Sequence, residues 1–218
     1  DGRSFQTFGT AQDHKRVAEG DKGKNTGGMG AYSPSKLINN ILEKKILNKI
    51  INPTLKALSD LKTKYKGFLY AGLMIVNNEP FLIEYNVRMG DPETQVVLPR
   101  IKNDFGEILS SIASKEISKI KLEVDDKFAT TIFAVSGGYP GSYEKGKKIL
   151  NIDEVQGSNV FHAGTVSKGS NIYTNGGRVL AITSLEESFK EAINKSYKEL
   201  KKINFDGMNY RKDIGFDL

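Results

Sequence analysis

The sequence predicts an α+β protein: an antiparallel sheet packed by helices, followed by a smaller antiparallel sheet with a helix of its own. Three observations lead there. Leu37, Ile41, Leu42, Ile46, Ile50 and Ile51 recur at helical spacing. Two apolar runs, Gly67 to Val76 and Phe81 to Tyr85, flank Asn77-Asn78, a dipeptide suited to the positive φ of a tight hairpin. Beyond Lys127 short apolar runs alternate with Gly/Pro turns.

In order, Asp1-Gly2 reads as a turn and Ser4 to Thr10, with Phe5 and Phe8 spaced among polar residues, as a strand entered from a hairpin. The helix from Ser35 meets Pro53, which should kink or restart it before Leu55, Leu58 and Leu61, and its apolar stripe is expected to be core. Gly67 to Val76 reads as a buried strand paired with Phe81 to Tyr85. Gly90-Asp-Pro-Glu93 is a turn, and Asp104 to Ser114 a helix with Phe105, Ile108, Leu109 and Ile112 on one face. The charged stretch Lys121 to Lys127 suggests a boundary, giving domains 1–125 and 126–218. Strands follow at Ala129 to Val135, Val160 to Ala163, Ile172-Tyr173 and Val179 to Thr183, with a turn at Gly137-Gly-Tyr-Pro-Gly141. Ser184-Leu-Glu-Glu187 has the form of a capping box, opening a helix that turns Leu185, Phe189, Ile193 and Leu200 inward.

Composition narrows the chemistry. With no cysteine and only His14 and His162, disulfides, thiolate zinc and thiol nucleophiles are excluded and a His-rich metal site is disfavoured, which leaves oxygen-liganded metals. The net charge of +6 is spread among interspersed Lys and Glu, so no nucleic-acid partner is expected. No apolar run approaches the ~20 residues of a membrane span, so no membrane partner is expected and the cytoplasm is the expected location. His162, beside Phe161 in an expected strand, is read as structural.

The chemically specific stretch is Phe81 to Gln95. On a strand, Glu84 and Asn86 project from one face about 7 Å apart, and Arg88 follows if the extended conformation persists. A carboxylate and an amide oxygen are hard ligands suited to Mg²⁺, and a guanidinium can clamp a carboxylate or phosphate. An isolated E-x-N-x-R is also what an ordinary Glu84–Arg88 ion pair looks like. Asp91 and Glu93 are open to two readings, a plain turn or a substrate contact. The same holds for Asp13-His14-Lys15-Arg16 as a solvated turn or a substrate-facing cluster. Asn25-Thr-Gly-Gly-Met-Gly30 could be a flexible turn or a loop whose bare N–H groups approach an anion.

Taken together, Glu84-Tyr-Asn-Val-Arg-Met-Gly-Asp-Pro-Glu-Thr-Gln95, Ala11-Gln-Asp-His-Lys-Arg16, Asn25-Thr-Gly-Gly-Met-Gly-Ala-Tyr-Ser-Pro34 and Thr174-Asn-Gly-Gly-Arg-Val-Leu180 resemble the phosphoribosylamine–glycine ligase (glycinamide ribonucleotide synthetase) family of the ATP-grasp superfamily. The ending Tyr210-Arg-Lys-Asp-Ile-Gly215 is similar too; Met89 departs conservatively from the expected Leu or Phe. The resemblance implies an ATP-grasp core portion followed by a small C-terminal domain. It implies ligation of glycine to 5-phosphoribosylamine through a glycyl phosphate, with ATP as co-substrate, in de novo purine biosynthesis. It further implies Mg²⁺ or Mn²⁺ on Glu84 and Asn86, catalytic roles for Arg88 and Asp91, and substrate contacts by Asp13, Lys15, Arg16, Asn25, Gly27, Gly28, Gly30 and Glu93. Asp13 would accept from a substrate amine or approach the metal, since no acid lies between Phe68 and Val76. The chain resembles the C-terminal portion of a longer enzyme, with the N-terminal portion as its partner, and a monomer is expected. Another ATP-grasp carboxylate–amine ligase is the alternative within the superfamily; a non-enzymatic basic nucleic-acid-binding protein is the alternative outside it.

Overall fold

The computed structural model describes residues 1–62 and 64–218. In chain order the elements are β1 (Gln12–Asp13), β2 (Arg16–Ala18), β3 (Lys22–Asn25), β4 (Gly30–Ser33), α1 (Asn40–Ile46), α2 (Asn52–Asp60), β5 (Tyr70–Val76), β6 (Glu79–Asn86), α3 (Thr94–Val97), α4 (Phe105–Ser114), β7 (Phe128–Ser136), β8 (Asn159–His162), β9 (Thr165–Lys168), β10 (Asn171–Thr174), β11 (Arg178–Glu186), α5 (Phe189–Leu200) and β12 (Met208–Asn209). The fold class is the expected α+β, with antiparallel strand pairing. The chain divides into two compact units, residues 1–10, 35–90 and 101–125, and residues 11–34, 91–100 and 126–218. By contacts, residues 11–34 and 91–100 group with 126–218, a division that the expected single boundary after residue 125 does not describe.

In the first unit, Asn39 caps α1 by accepting from the N–H groups of Ile41 and Leu42. The restart expected at Pro53 takes the form of a π-helical segment, Leu47–Ile51, leading into α2 with the proline in its first turn, where a missing N–H costs least. Leu42, Ile46 and Ile50 are buried, but Leu37, Ile41 and Leu61 are 52%, 71% and 74% exposed, so the stripe is core only in part. Ser4 to Thr10 is not a strand. Its local bonds run through side chains: Asp1 Oδ1 accepts from the N–H groups of Arg3 and Ser4, and Gln6 Nε2 donates to the carbonyls of Ile117 and Ile120. Phe8 packs edge-on to Phe68 and Phe105, and Asp104 caps α4 at the N–H of Glu107.

The β5–β6 hairpin turns on Asn77 and Asn78, at φ of 52° and 58°, as the dipeptide predicts. A register shift then decides which side chains share a face. Gly72 pairs with Glu84 while Leu73 pairs with Leu82, so Ile83 is an extra residue that breaks the alternation. Glu84 and Asn86 consequently lie on the same face as their partners Gly72 and Tyr70, and with the pair Met74 and Phe81 further along. Met74 and Phe81 are more than half exposed, so the expectation that β5 is buried fails on this side. The opposite face is anchored to the helices, Tyr85 Oη meeting Thr54 Oγ1 at 2.6 Å.

The second unit is built on a six-stranded sheet in the order β1-β4-β7-β11-β8, with β12 also pairing with β7. Ile132 to Val135 of β7 and Val179 to Ile182 of β11 are fully buried and meet Leu200, Ile203, Phe205 and Ile214 in one core. Helix α5 covers these strands, its Ser196 Oγ donating to the Thr130 carbonyl at 2.9 Å. The cap expected at Ser184 lies instead at Ser188, whose Oγ accepts from the N–H of Glu191 and donates to its carboxylate. Ser184 to Glu186 stay in strand because they pair with β7 from Thr130 to Phe128, and Leu185 is a strand residue. Ser188→Ala is expected to cost about 1 kcal/mol, measured by urea unfolding; the same change at Ser184 would not act through a cap. The β9–β10 hairpin is polar and half-exposed, which hid β9 from pattern reading, whereas β10 contains the expected Ile172-Tyr173 run. Among the described residues no helix is long and apolar enough to cross a membrane.

Candidate functional site

In the first unit, Glu84 and Asn86 are brought together as the alternation predicts: Asn86 Nδ2 lies 3.3 Å from Glu84 Oε1, and Glu84 is exposed. The pair offers one carboxylate and one amide on a single strand face, a donor set that fits a hard divalent cation completed by water and phosphate oxygens. Strand geometry ends at Asn86, so Arg88 is not carried onward in register. Its Nη1 folds back to donate to the Met89 carbonyl at 2.9 Å, and the guanidinium is exposed. Among the described residues no group of three or more His, Asp or Glu is placed to hold a metal.

The remaining expected site residues fall in the second unit. Lys15, Arg16 and Asn25 are exposed on β2, β3 and the residue before them, with Arg16 Nη1 bonded across the hairpin to the Gly23 carbonyl. Arg211, fully buried, braces that hairpin by donating to the Arg16 carbonyl and to the carboxylates of Asp21 and Asp213. His14 turns into the core, Nε2 3.0 Å from Asp217 Oδ1, and burial holds its pKa below the usual value despite that carboxylate.

The Gly-rich loop corrects one expectation. The N–H of Thr26 donates to the Lys15 carbonyl, that of Gly27 to Tyr139 Oη, that of Gly28 to Thr26 Oγ1 and that of Met29 to the His14 carbonyl. These donors are already committed, so they do not form a nest of bare N–H groups. The glycines serve close approach instead. A Cβ on Gly28, whose φ is +113°, would lie 2.3 Å from Pro92 Cδ and 2.7 Å from Asp13 Oδ1, and one on Gly30 would lie 2.6 Å from the Thr131 carbonyl oxygen.

Packed against this loop is the turn carrying Asp91 and Glu93. Asp91 Oδ2 pairs with Arg178 Nη2 at 2.9 Å, and Asp91 Oδ1 accepts from Gln95 Nε2 at 3.0 Å. Arg178 also donates from Nη1 to the Gly27 carbonyl at 2.8 Å, with its guanidinium 4.6 Å from the Phe133 ring centre. Glu93 is buried, and its carbonyl accepts the first N–H bonds of α3.

Asp13 is the electrostatic outlier. Its Oδ1 is buried with no hydrogen-bond partner. Burial, with the Glu93 charge adding to it, pushes its pKa up to about 8 against the opposing pull of Lys15 and Arg178. A carboxyl whose pKa rises from 3.8 to about 8 on folding binds its proton more tightly in the folded state, so the stability it contributes is lost as pH rises through that window. Asp13→Asn removes this titration. The wild type should lose more unfolding free energy than the variant between pH 5 and pH 8; parallel urea-midpoint profiles would contradict the burial argument.

The Phosphoribosylglycinamide synthetase, ATP-grasp (A) domain model matches residues 1–94, and the C domain model of the same synthetase matches residues 129–217. The chain belongs to the phosphoribosylglycinamide synthetase family. Phosphoribosylamine–glycine ligase of Caldanaerobacter subterraneus subsp. tengcongensis is 46% identical over 98% of this chain, which covers 51% of that protein. The trifunctional purine biosynthetic protein adenosine-3 of Bos taurus is 44% identical over 99% of the chain, which covers 22% of it. The crystal structure of phosphoribosylamine–glycine ligase from Thermotoga maritima superposes with a TM-score of 0.86 at 36% identity, covering 98% of this chain and 53% of that one. The chain thus spans about half the length of the curated phosphoribosylamine–glycine ligases it matches.

Within this member of the family, sequence patterns do not single out Arg178, Gln95 or Tyr139 as individual residues. Each lay inside a stretch already singled out: Arg178 in Thr174 to Leu180, Gln95 at the end of Phe81 to Gln95, and Tyr139 within a segment read only as a turn. What was missing was the third dimension, since Arg178 bonds residues 87 and 151 positions away.

Proposed function

We propose that the protein carrying this chain joins glycine to 5-phospho-β-D-ribosylamine in purine biosynthesis in the cytoplasm, converting ATP to ADP and phosphate. The observation that carries this is the shared face of Glu84 and Asn86 in a member of the synthetase family. A carboxylate is a poor electrophile because oxide would have to leave. A glycine carboxylate oxygen therefore attacks the γ-phosphorus as ADP departs, giving glycyl phosphate. The amine of phosphoribosylamine then attacks the glycyl carbonyl, phosphate leaves, and the amine proton is lost as the amide forms.

In this reading Glu84 and Asn86 hold Mg²⁺ or Mn²⁺, which when bound neutralises charge on the nucleotide phosphates. The exposed guanidinium of Arg88 orients the glycine carboxylate. Lys15 and Arg16, exposed cations at the surface of their hairpin, take the phosphate of phosphoribosylamine, with Asn25 beside Arg16 in the ladder as a polar neighbour. Asp91 acts by holding the loop of Gly27 and Gly28 through Arg178. Asp13, kept protonated near neutral pH by burial beside Glu93, becomes an acceptor for a substrate amine when a bound cation favours its ionised form. The half of the relatives that this chain does not match supplies the rest of the nucleotide site.

The test uses the full-length protein. ADP release should require glycine and phosphoribosylamine together, and no other amino acid should replace glycine efficiently. Equal or faster turnover with a different amino acid or amine would assign the protein to another ATP-grasp ligation.

A further inference from the structure

The hairpin of β2 and β3 has almost no core of its own. β3 is exposed along its whole length, and Val17 is the residue of β2 that packs against the buried core. A two-stranded hairpin is marginal in water by itself. What fixes this one is the segment from Arg211 to Asp217, which ties it at three levels. At the tip, Arg211 Nη1 donates to Asp21 Oδ1 at 2.7 Å, and Asp213 Oδ2 accepts from the N–H of Gly20 at 2.7 Å. Midway, Arg211 Nη1 donates to the Arg16 carbonyl at 3.2 Å. At the base, Asp217 holds the His14 ring through Oδ1 and accepts from Tyr32 Oη at Oδ2. None of the Arg211 side chain is exposed, whereas that of Asp21 is 53% exposed. A fully buried guanidinium is costly, and an apolar side chain would have served packing alone. Its donors go instead to a hairpin whose outer side chains meet solvent.

Fixing the posture of an exposed surface has a consequence only for what meets that surface. Resting on the reading of Lys15 and Arg16 as phosphate-holding cations, we infer that Asp21, Arg211 and Asp213 are positioning residues for the phosphate-bearing substrate. They order the hairpin on folding, so that less entropy is lost when its cations take the phosphate. The sign of one charge separates this role from simple electrostatics. Asp21 lies in a run with Lys15, Arg16, Lys22 and Lys24, and its carboxylate lowers the positive potential that they create. As a charge, Asp21 opposes phosphate binding; as the acceptor for Arg211, it favours binding by holding the hairpin still. The second effect is the larger, because the charge of an exposed carboxylate is screened by solvent and salt, while its bond to Arg211 is made to a buried, charged donor.

The experiment compares wild-type full-length protein with Asp21→Asn and Asp21→Gly, both of which accept the φ of 52° at this position. Asn removes the charge and keeps an oxygen for Arg211; Gly removes both. Arg211 itself is left in place, because its removal would strand the carboxylate of Asp213 and endanger folding. Isothermal titration gives Kd for glycinamide ribonucleotide, the product of the proposed reaction, and for ATP with Mg²⁺, beside Tm for each protein. Asp21→Asn is expected to bind glycinamide ribonucleotide at least as tightly as wild type, and Asp21→Gly about fivefold or more weakly, with Kd for ATP held in both. A pure charge effect would tighten binding in both variants, and a merely structural role would weaken both ligands in parallel. Either result, or equal affinity of the two variants for glycinamide ribonucleotide, would overturn the inference. Wild-type protein that does not bind glycinamide ribonucleotide, or Arg16→Ala that binds it unchanged, would instead bring down the reading of the cations on which the inference rests.

Discussion

Glu84→Gln in the full-length protein is expected to lower kcat by about a hundredfold or more, the scale seen when a preorganised charge that stabilises a transition state is removed. Tm should stay within about 2 °C, because surface substitutions away from buried partners change stability by only a few tenths of a kcal/mol and Glu84 is exposed. The apparent requirement for Mg²⁺ should rise in parallel, since the variant keeps two polar atoms at the position but loses the charge that attracts the ion. Near-wild-type turnover at unchanged Mg²⁺ dependence would remove Glu84 from the metal-holding role. The substitution leaves Asn86 without its ionised neighbour, so Asn86→Leu should give a smaller loss in the same direction.

The second large effect is structural. Gly28→Ala places a methyl group 2.3 Å from Pro92 Cδ and 2.7 Å from Asp13 Oδ1, at a φ of +113° that L residues avoid. Left-handed backbone and overpacking each cost roughly 1–3 kcal/mol, so a loss of about 3 kcal/mol and a fall in Tm on the order of 10 °C are expected. A Tm within about 2 °C of wild type would mean that the loop relaxes freely and that the close approach has no structural consequence.

Much of the architecture was readable from local chemistry. Asn77-Asn78 specified the hairpin because few residue pairs accept two consecutive positive φ values, and the Pro53 restart followed from an equally local rule. Local rules failed where two were in competition. Ser184 and Ser188 each begin an S-x-x-E pattern, and the pairing of β11 with β7, which no local pattern reveals, decided for the second. The pairing of Glu84 with Asn86 was legible from strand alternation, whereas the identity of the other residues on their face was not, because the extra residue at Ile83 shifts the register by one. In the Gly-rich loop, composition correctly marked unusual backbone and gave the wrong reason for it. Bare N–H groups and close packing both require glycine, and only the partners Tyr139, Thr26 and His14 separate them.

The register shift at Ile83 has a practical consequence for handling the polypeptide. It puts the side chains of Met74 and Phe81 into solvent on the same side as Glu84, with Ile83 itself 64% exposed, on a two-stranded sheet whose outer edges have no strand alongside them among the described residues. Greasy side chains beside unpaired strand edges are a template for self-association. These 218 residues made by themselves should tend to aggregate during purification, and lysine replacements at Met74 and Phe81 should raise their solubility without unfolding them.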